Sequence, residues 1–215
     1  MLNKLHFASY YRWLIVSRHL QVRATGNPIL DVGCDDGFFL SQQTSTVKVG
    51  VDLQPRALSG EGLSVVQADG CRLPFASGAF ETVFAFDIIE HIADDWAFLA
   101  ALLRMLAPGG RLWLSTPTED SFLFPAFLTR RAMRQWGHQR VGYNVDALLQ
   151  HIPAGYQTQA RVWSATAFRH TYFLLRILAM LSPALARWGA GLCFEIDRRL
   201  SQGRDHIFLE VVREV

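Results

Sequence analysis

Ile29–Leu40 reads ILDVGCDDGFFL. The run opens as a short apolar strand, carries Asp31 near the strand end, turns through Gly33 and Gly37, and closes on the first turn of an apolar helix. Small residues at a strand-to-helix turn let a ligand lie directly against the main chain. The run gains its weight from the segments downstream, which recur at regular distances along the chain.

Val47–Pro55 reads VKVGVDLQP. Val47, Val49 and Val51 alternate as on a strand, and Asp52 closes it ahead of Leu53. An acidic residue about 20 positions past a glycine turn grips a ribose, because its carboxylate accepts two hydrogen bonds in a fork. That geometry serves more than one nucleotide cofactor. Leu63–Ala68 is a further strand, ending on Asp69-Gly70. Phe80–His91, FETVFAFDIIEH, carries Asp87, and a helix is predicted after it from about Asp94 to Leu106. Leu106–Pro117, LAPGGRLWLSTP, reads as a helix end, a Pro-Gly-Gly turn and an apolar strand.

As a set, D-x-G-C-x-x-G, V-D, A-D, F-D-I-I-E-H-I and L-x-P-G-G-x-L-x-L-S-x-P resemble the core of the class I S-adenosylmethionine-dependent methyltransferases. The resemblance covers residues 27–117. It implies an α/β, Rossmann-like architecture: a seven-stranded, mostly parallel sheet between helices, with an antiparallel final strand. It implies S-adenosyl-L-methionine as cofactor, held by Asp31, Gly33, Cys34, Gly37, Asp52, Leu53, Asp69, Gly70 and Asp87. Asp52 would take the ribose and Asp69 the adenine amino group. One position departs from the family pattern, which usually carries Gly where this chain has Asp35. Asp tolerates positive φ better than most residues, so the turn is expected to survive. A carboxylate there is expected to repel the amino-acid end of the cofactor.

The chain has 215 residues, 50% of them hydrophobic, which suits one α/β domain over 1–215. Residues 27–117 would form the cofactor core and 118–205 the acceptor side. The 3 cysteines, Cys34, Cys71 and Cys193, are scattered and odd in number. A disulfide framework and a metal site are therefore not expected, and a reducing cytoplasm is. Cys34 reads as packing beside the cofactor rather than as a nucleophile. Lys4, His6, Arg12 and Arg18 interrupt Met1–Leu20, which reads as an amphipathic helix and not as a signal peptide.

Charge is uneven. Ser121–His170 holds Arg130, Arg131, Arg134, Arg140, Arg161 and Arg169 against Asp146 alone. Arginine grips carboxylate or phosphate through a rigid fork, so one reading is an anionic acceptor; the other is a solvated face. Within this stretch, WGHQRVGY (136–143) places His138 and Tyr143 between bending glycines. His138 is a candidate general base, and His91 is its rival at the carboxyl edge of the sheet. Arg140 and Tyr143 are candidate acceptor ligands.

Gln157–Trp163 and His206–Val212 read as the last strands, with helices over Ala167–Leu181 and Pro183–Leu200 inserted between them. Arg176, Pro183 and Arg187 cut this apolar hairpin below the length of a membrane span. It reads as a lid over the acceptor, a dimer face or a peripheral membrane patch, so monomer and homodimer both stay open.

Rival enzyme classes lack their marks. A short-chain dehydrogenase needs Tyr-x-x-x-Lys, but neither Lys4 nor Lys48 has Tyr four residues before it. The D/N-P-P-Y segment of DNA adenine methyltransferases and the Pro-Cys nucleophile of cytosine-5 enzymes are missing. A net charge of +2 also argues against a nucleic-acid partner. The expected function is methyl transfer to oxygen or nitrogen of a small, anionic or amphipathic, lipid-like acceptor. The alternative is a catalytically weak cofactor-binding domain acting as a partner or regulatory subunit.

Overall fold

The computed structural model describes residues 6–24, 26–55, 62–200 and 203–215. The chain divides into two compact units. Ala24–Glu119, His138–Arg161 and Ile207–Val215 form a sheet unit; Met1–Arg23, Asp120–Gly137 and Val162–His206 form a helical unit. The expected acceptor side, 118–205, is thus shared between them, because residues 138–161 pack with the cofactor core.

The sheet has seven strands: β1 (Ile29–Val32), β2 (Lys48–Asp52), β3 (Leu63–Gln67), β4 (Phe80–Phe86), β5 (Leu106–Pro117), β6 (Tyr156–Trp163) and β7 (His206–Arg213). Their order is β3-β2-β1-β4-β5-β7-β6. The pairings of β1 with β2 and β4, of β2 with β3 and of β4 with β5 are parallel. Every residue of β1 is buried, as both-sided cover of a parallel strand requires. Because β2 and β3 lie to one side of β1 and β4 and β5 to the other, the chain reverses direction between β1 and β4. Ligands of open α/β sheets bind at the carboxyl ends beside such a reversal.

Short helices fix those ends. Helix α2 (Phe38–Ser41) starts at Gly37, whose φ is +62°. Helix α3 (Asp95–Met105) is capped by Asp94, which accepts a bond of 3.1 Å from the Ala97 N–H. It buries Phe98, Leu99, Leu102 and Met105 against the sheet. The expected Pro-Gly-Gly turn lies inside β5 rather than before it. Leu106 pairs with Phe80 and Arg111 with Thr82, so Pro108, Gly109 and Gly110 loop out of the ladder as an irregularity.

In the helical unit, α1 (Phe7–Leu14) continues as one wider turn, Ile15–His19; residues 1–5 of the expected first helix lie outside the described residues. The unit also holds α4 (Thr129–Gln135), α6 (Thr166–Leu181) and α7 (Pro183–Asp197); α5 (Val145–Gln150) belongs to the sheet unit. The expected helical insertion between β6 and β7 is α6 and α7. Ser182 ends α6 and caps α7, with Pro183 in the first turn. The two helices approach closely at Gly189, where a Cβ would fall 2.6 Å from Leu175 Cδ2. Tyr11 stacks on Phe168 with ring centroids 4.0 Å apart. The N-terminus of α6 has no cap of its own and takes one from α7: Asp197 accepts from the Ala167 and Phe168 N–H groups at 2.7 and 3.2 Å and from Tyr11 Oη at 2.6 Å. No described helix is long and apolar enough to cross a membrane.

Candidate functional site

The first turn is built by backbone conformation. Gly33, Asp35 and Gly37 all hold positive φ, +81°, +44° and +62°. At Gly33 that φ favours glycine, and a Cβ would in addition press on Ile88, 2.4 Å from its Cδ1. Asp35 adopts the left-handed conformation expected of it and is exposed. Its N–H donates to Asp52 Oδ2 at 3.1 Å, and the Gln54 N–H donates to Asp52 Oδ1 at 2.9 Å. The ribose candidate is thereby tied to the first turn, a link between β1 and β2 that no spacing in the sequence shows.

Cys34 is buried beside Gly50; a Cβ at Gly50 would fall 2.7 Å from its Sγ. Burial, and then Asp31 and Asp52, push the thiol up to about 12. A thiol held in that range is protonated at neutral pH. Asp31 is buried in β1, while Leu53 is 60% exposed beyond β2. Asp69 is exposed past β3, where its Oδ1 accepts from the Cys71 N–H at 2.9 Å. Gly70 is buried against Phe98, where a Cβ would fall 2.6 Å from that ring. Asp87, past β4, has φ +51° and accepts from Ser115 Oγ at 2.6 Å. Asp31, Asp52, Asp69 and Asp87 therefore mark the ends of four neighbouring strands.

A second group gathers past β4. Ile89–His91 form one 3-10 turn that buries Glu90, which accepts from Thr116 Oγ1 at 3.1 Å. The Gln139 N–H donates to the Glu90 carbonyl at 2.9 Å, bringing the 138–143 loop onto this turn. The His91 and His138 rings meet edge to face, 4.4 Å apart. Burial, followed by the charge of His91, pushes His138 down to about 4 against the opposing pull of Asp87. Glu90, His91 and His138 each offer a ligating atom within 4.8 Å of the others, a spacing that a metal ion could bridge. The sequence reading anticipates no metal at this position.

Arg140 and Tyr143, the candidate acceptor ligands, are held by protein partners. The Arg140 guanidinium pairs with Asp95, bonds Tyr143 Oη at 2.5 Å and donates to the Ala93 carbonyl at 3.2 Å. Tyr143 is buried, with Oη 2.9 Å from Asp95 Oδ2 and 3.2 Å from the Ile89 carbonyl. Burial chiefly raises its phenol above the usual range. These groups are spent on one another and on the main chain, so they anchor the loop. Asp95 completes the anchor; at the head of a predicted helix it reads only as a first-turn acid. Gly142 seats the loop, because a Cβ there would fall 2.2 Å from the Pro117 carbonyl oxygen. Phe168, Tyr172 and Leu175 of α6 are buried in the helical unit.

Residues 30–114 match the family model described as a methyltransferase domain. A probable S-adenosylmethionine-dependent methyltransferase of Mycobacterium tuberculosis is 27% identical over 120 residues, covering 53% of this chain and 44% of that protein. An uncharacterized methyltransferase of Mycolicibacterium gilvum is 36% identical over 97 residues, covering 40% of this chain and 38% of that protein. The chain thus spans less than half the length of these curated relatives. Among solved structures, an S-adenosylmethionine-dependent methyltransferase from Mesorhizobium loti superposes with a TM-score of 0.63 at 16% identity, covering 96% of this chain and all of that one; that likeness concerns the fold. Over residues 30–114 the chain is similar to a methyltransferase domain, and its strand order and turn geometry give it the fold of the S-adenosylmethionine-dependent methyltransferase it superposes on.

Proposed function

We propose that this chain transfers a methyl group from S-adenosylmethionine to an oxygen or nitrogen of a small acceptor with an anionic or amphipathic part. The observation that carries the reading is the Asp52 carboxylate, held at the end of β2 by the backbone of the positive-φ turn that comes after β1.

The donor set suits the cofactor. Ribose hydroxyls and the adenine amino group are donors, and the strand ends present carboxylate acceptors. Each Asp52 oxygen takes one backbone N–H, which leaves lone pairs for two hydroxyls. Asp69 is the exposed acceptor for the adenine amino group. When bound, the cofactor supplies a methyl group already activated by a sulfonium charge. The protein's work is then to align the acceptor and remove its proton. His91 and His138 meet there as the two imidazoles that can take that proton; His138 is held neutral, but burial makes it a weaker base than an ordinary imidazole. Arg140, Asp95 and Tyr143 position the His138 loop.

The reading as a regulatory subunit is disfavoured by the preserved ribose and adenine carboxylates. Titration calorimetry with S-adenosylmethionine and with its demethylated product tests the proposal. Binding of both is expected; folded protein that binds neither overturns it. Release of the demethylated product across a panel of carboxylic acids, phosphorylated amines and neutral alcohols then sorts the acceptor. Turnover confined to neutral alcohols would overturn the anionic part of the reading.

A further inference from the structure

The helical unit carries 13 Lys and Arg against four acids, a net of +9, while the rest of the chain carries −7, together the +2 of the whole. Of its four acids, Asp197 and Asp205 are buried and Glu195 pairs with Arg198. The outward charge of this unit is therefore almost wholly basic.

The same unit exposes a large apolar face. On α6, Leu174, Ile177 and Leu181 repeat at helical spacing; on α7, Trp188, Leu192 and Ile196 do the same. These six side chains are 46% to 78% exposed. They do not belong to the face that fills the core: α6 buries Phe168, Tyr172 and Leu175, and α7 buries Ala186, Ala190 and Phe194. Both helices are thus apolar on two sides, one packed and one open. Arg176, Arg198 and Arg199 are exposed on the same hairpin.

We infer that the α6–α7 hairpin docks the protein on the surface of an anionic lipid bilayer. An apolar stripe flanked by arginine lies in a membrane interface with its apolar side in the acyl boundary and its cations at the headgroups. Helix α6 has 16 residues, about 24 Å at 1.5 Å per residue, which falls short of the hydrocarbon core. It lies on the bilayer rather than across it. Charge decides the occupant: pairing of two copies through this face would set one +9 unit against another, whereas anionic headgroups neutralise it.

The test is co-sedimentation of the whole chain with vesicles of phosphatidylcholine alone or mixed with phosphatidylglycerol. Partition onto the anionic vesicles is expected to be at least about tenfold stronger and to weaken as salt rises. Arg176→Glu is expected to lower it by about fivefold or more. Ile177→Glu with Trp188→Glu is expected to lower it by about a hundredfold, because two large side chains lose their apolar burial. Circular dichroism and cofactor binding establish that each variant is folded. Failure of the wild type to bind anionic vesicles at low salt would overturn the inference. So would equal binding to both vesicle types, or wild-type binding by the double variant, which would leave charge alone as the attraction. A dimer in sedimentation that the double variant dissolves, without vesicle binding, would assign the face to contact between copies instead.

Discussion

Asp52 is the side chain on which cofactor affinity should depend most. Asp52→Ala removes acceptors for two ribose hydroxyls, and hydrogen bonds to charged groups contribute about 1.5–3 kcal/mol each. Calorimetry is expected to show S-adenosylmethionine affinity falling by about a hundredfold or more. Wild-type affinity in that variant would mean that the ribose sits elsewhere. Asp35 acts in the opposite sense. Glycine holds its +44° φ without cost and removes a negative charge near the expected carboxylate of the cofactor. Asp35→Gly is therefore expected to tighten binding, and weaker binding would show that the carboxylate pairs with the cofactor's ammonium. For His138 the sign is set by protons bound. Its imidazole holds a proton below about 4 when folded and below its ordinary 6.5 when unfolded. Between those values the unfolded chain binds more protons, so this group's contribution to stability is present above pH 6.5 and lost as pH falls toward 4. An NMR titration of His138 should show the low midpoint, and His91→Ala should raise it by removing a neighbouring positive charge.

At the scale of elements, the site depends on how the end of β5 receives the 138–143 loop. Tyr143 bridges Thr118, its N–H donates to the Pro117 carbonyl at 2.9 Å, and Gly142 makes the close approach. Gly142→Ala is expected to cost about 2 kcal/mol, seen as a melting-temperature drop of about 4–8 °C for a chain of this size. It should lower turnover more than cofactor affinity, since it moves His138 and leaves Asp52 in place. Equal losses in both would show that the loop also shapes the cofactor site. The elements themselves are largely legible in the sequence. The expected helix over 167–181 is Thr166–Leu181, and the expected strand over 157–163 is Tyr156–Trp163, because periodicity and the Ser182-Pro183 boundary act over a few residues. The Pro-Gly-Gly segment is the exception: its turn chemistry is local and legible, but pairing with β4 continues on both sides of it, which sequence spacing does not show. The Asp197 cap is equally hidden, lying 30 residues beyond the first N–H it receives.

For the molecule as a whole, binding and stability are linked. A ligand at a hundred times its dissociation constant stabilises the folded form by about 2.7 kcal/mol. S-adenosylmethionine at that excess is expected to raise the melting temperature by about 5–11 °C; a flat melting curve would contradict the binding proposal. The sequence by itself determined the alternation of strands and helices, the acids at four strand ends and the family they resemble. Those features rest on hydrophobic period and turn chemistry, which are local. Only the tertiary structure decided that Arg140 turns to Asp95, that His91 and His138 meet, and that one face of the α6–α7 hairpin stays open. These outcomes depend on which distant surfaces compete for the same side chain. An arginine or a leucine carries no local mark of the partner, or the solvent, that wins it.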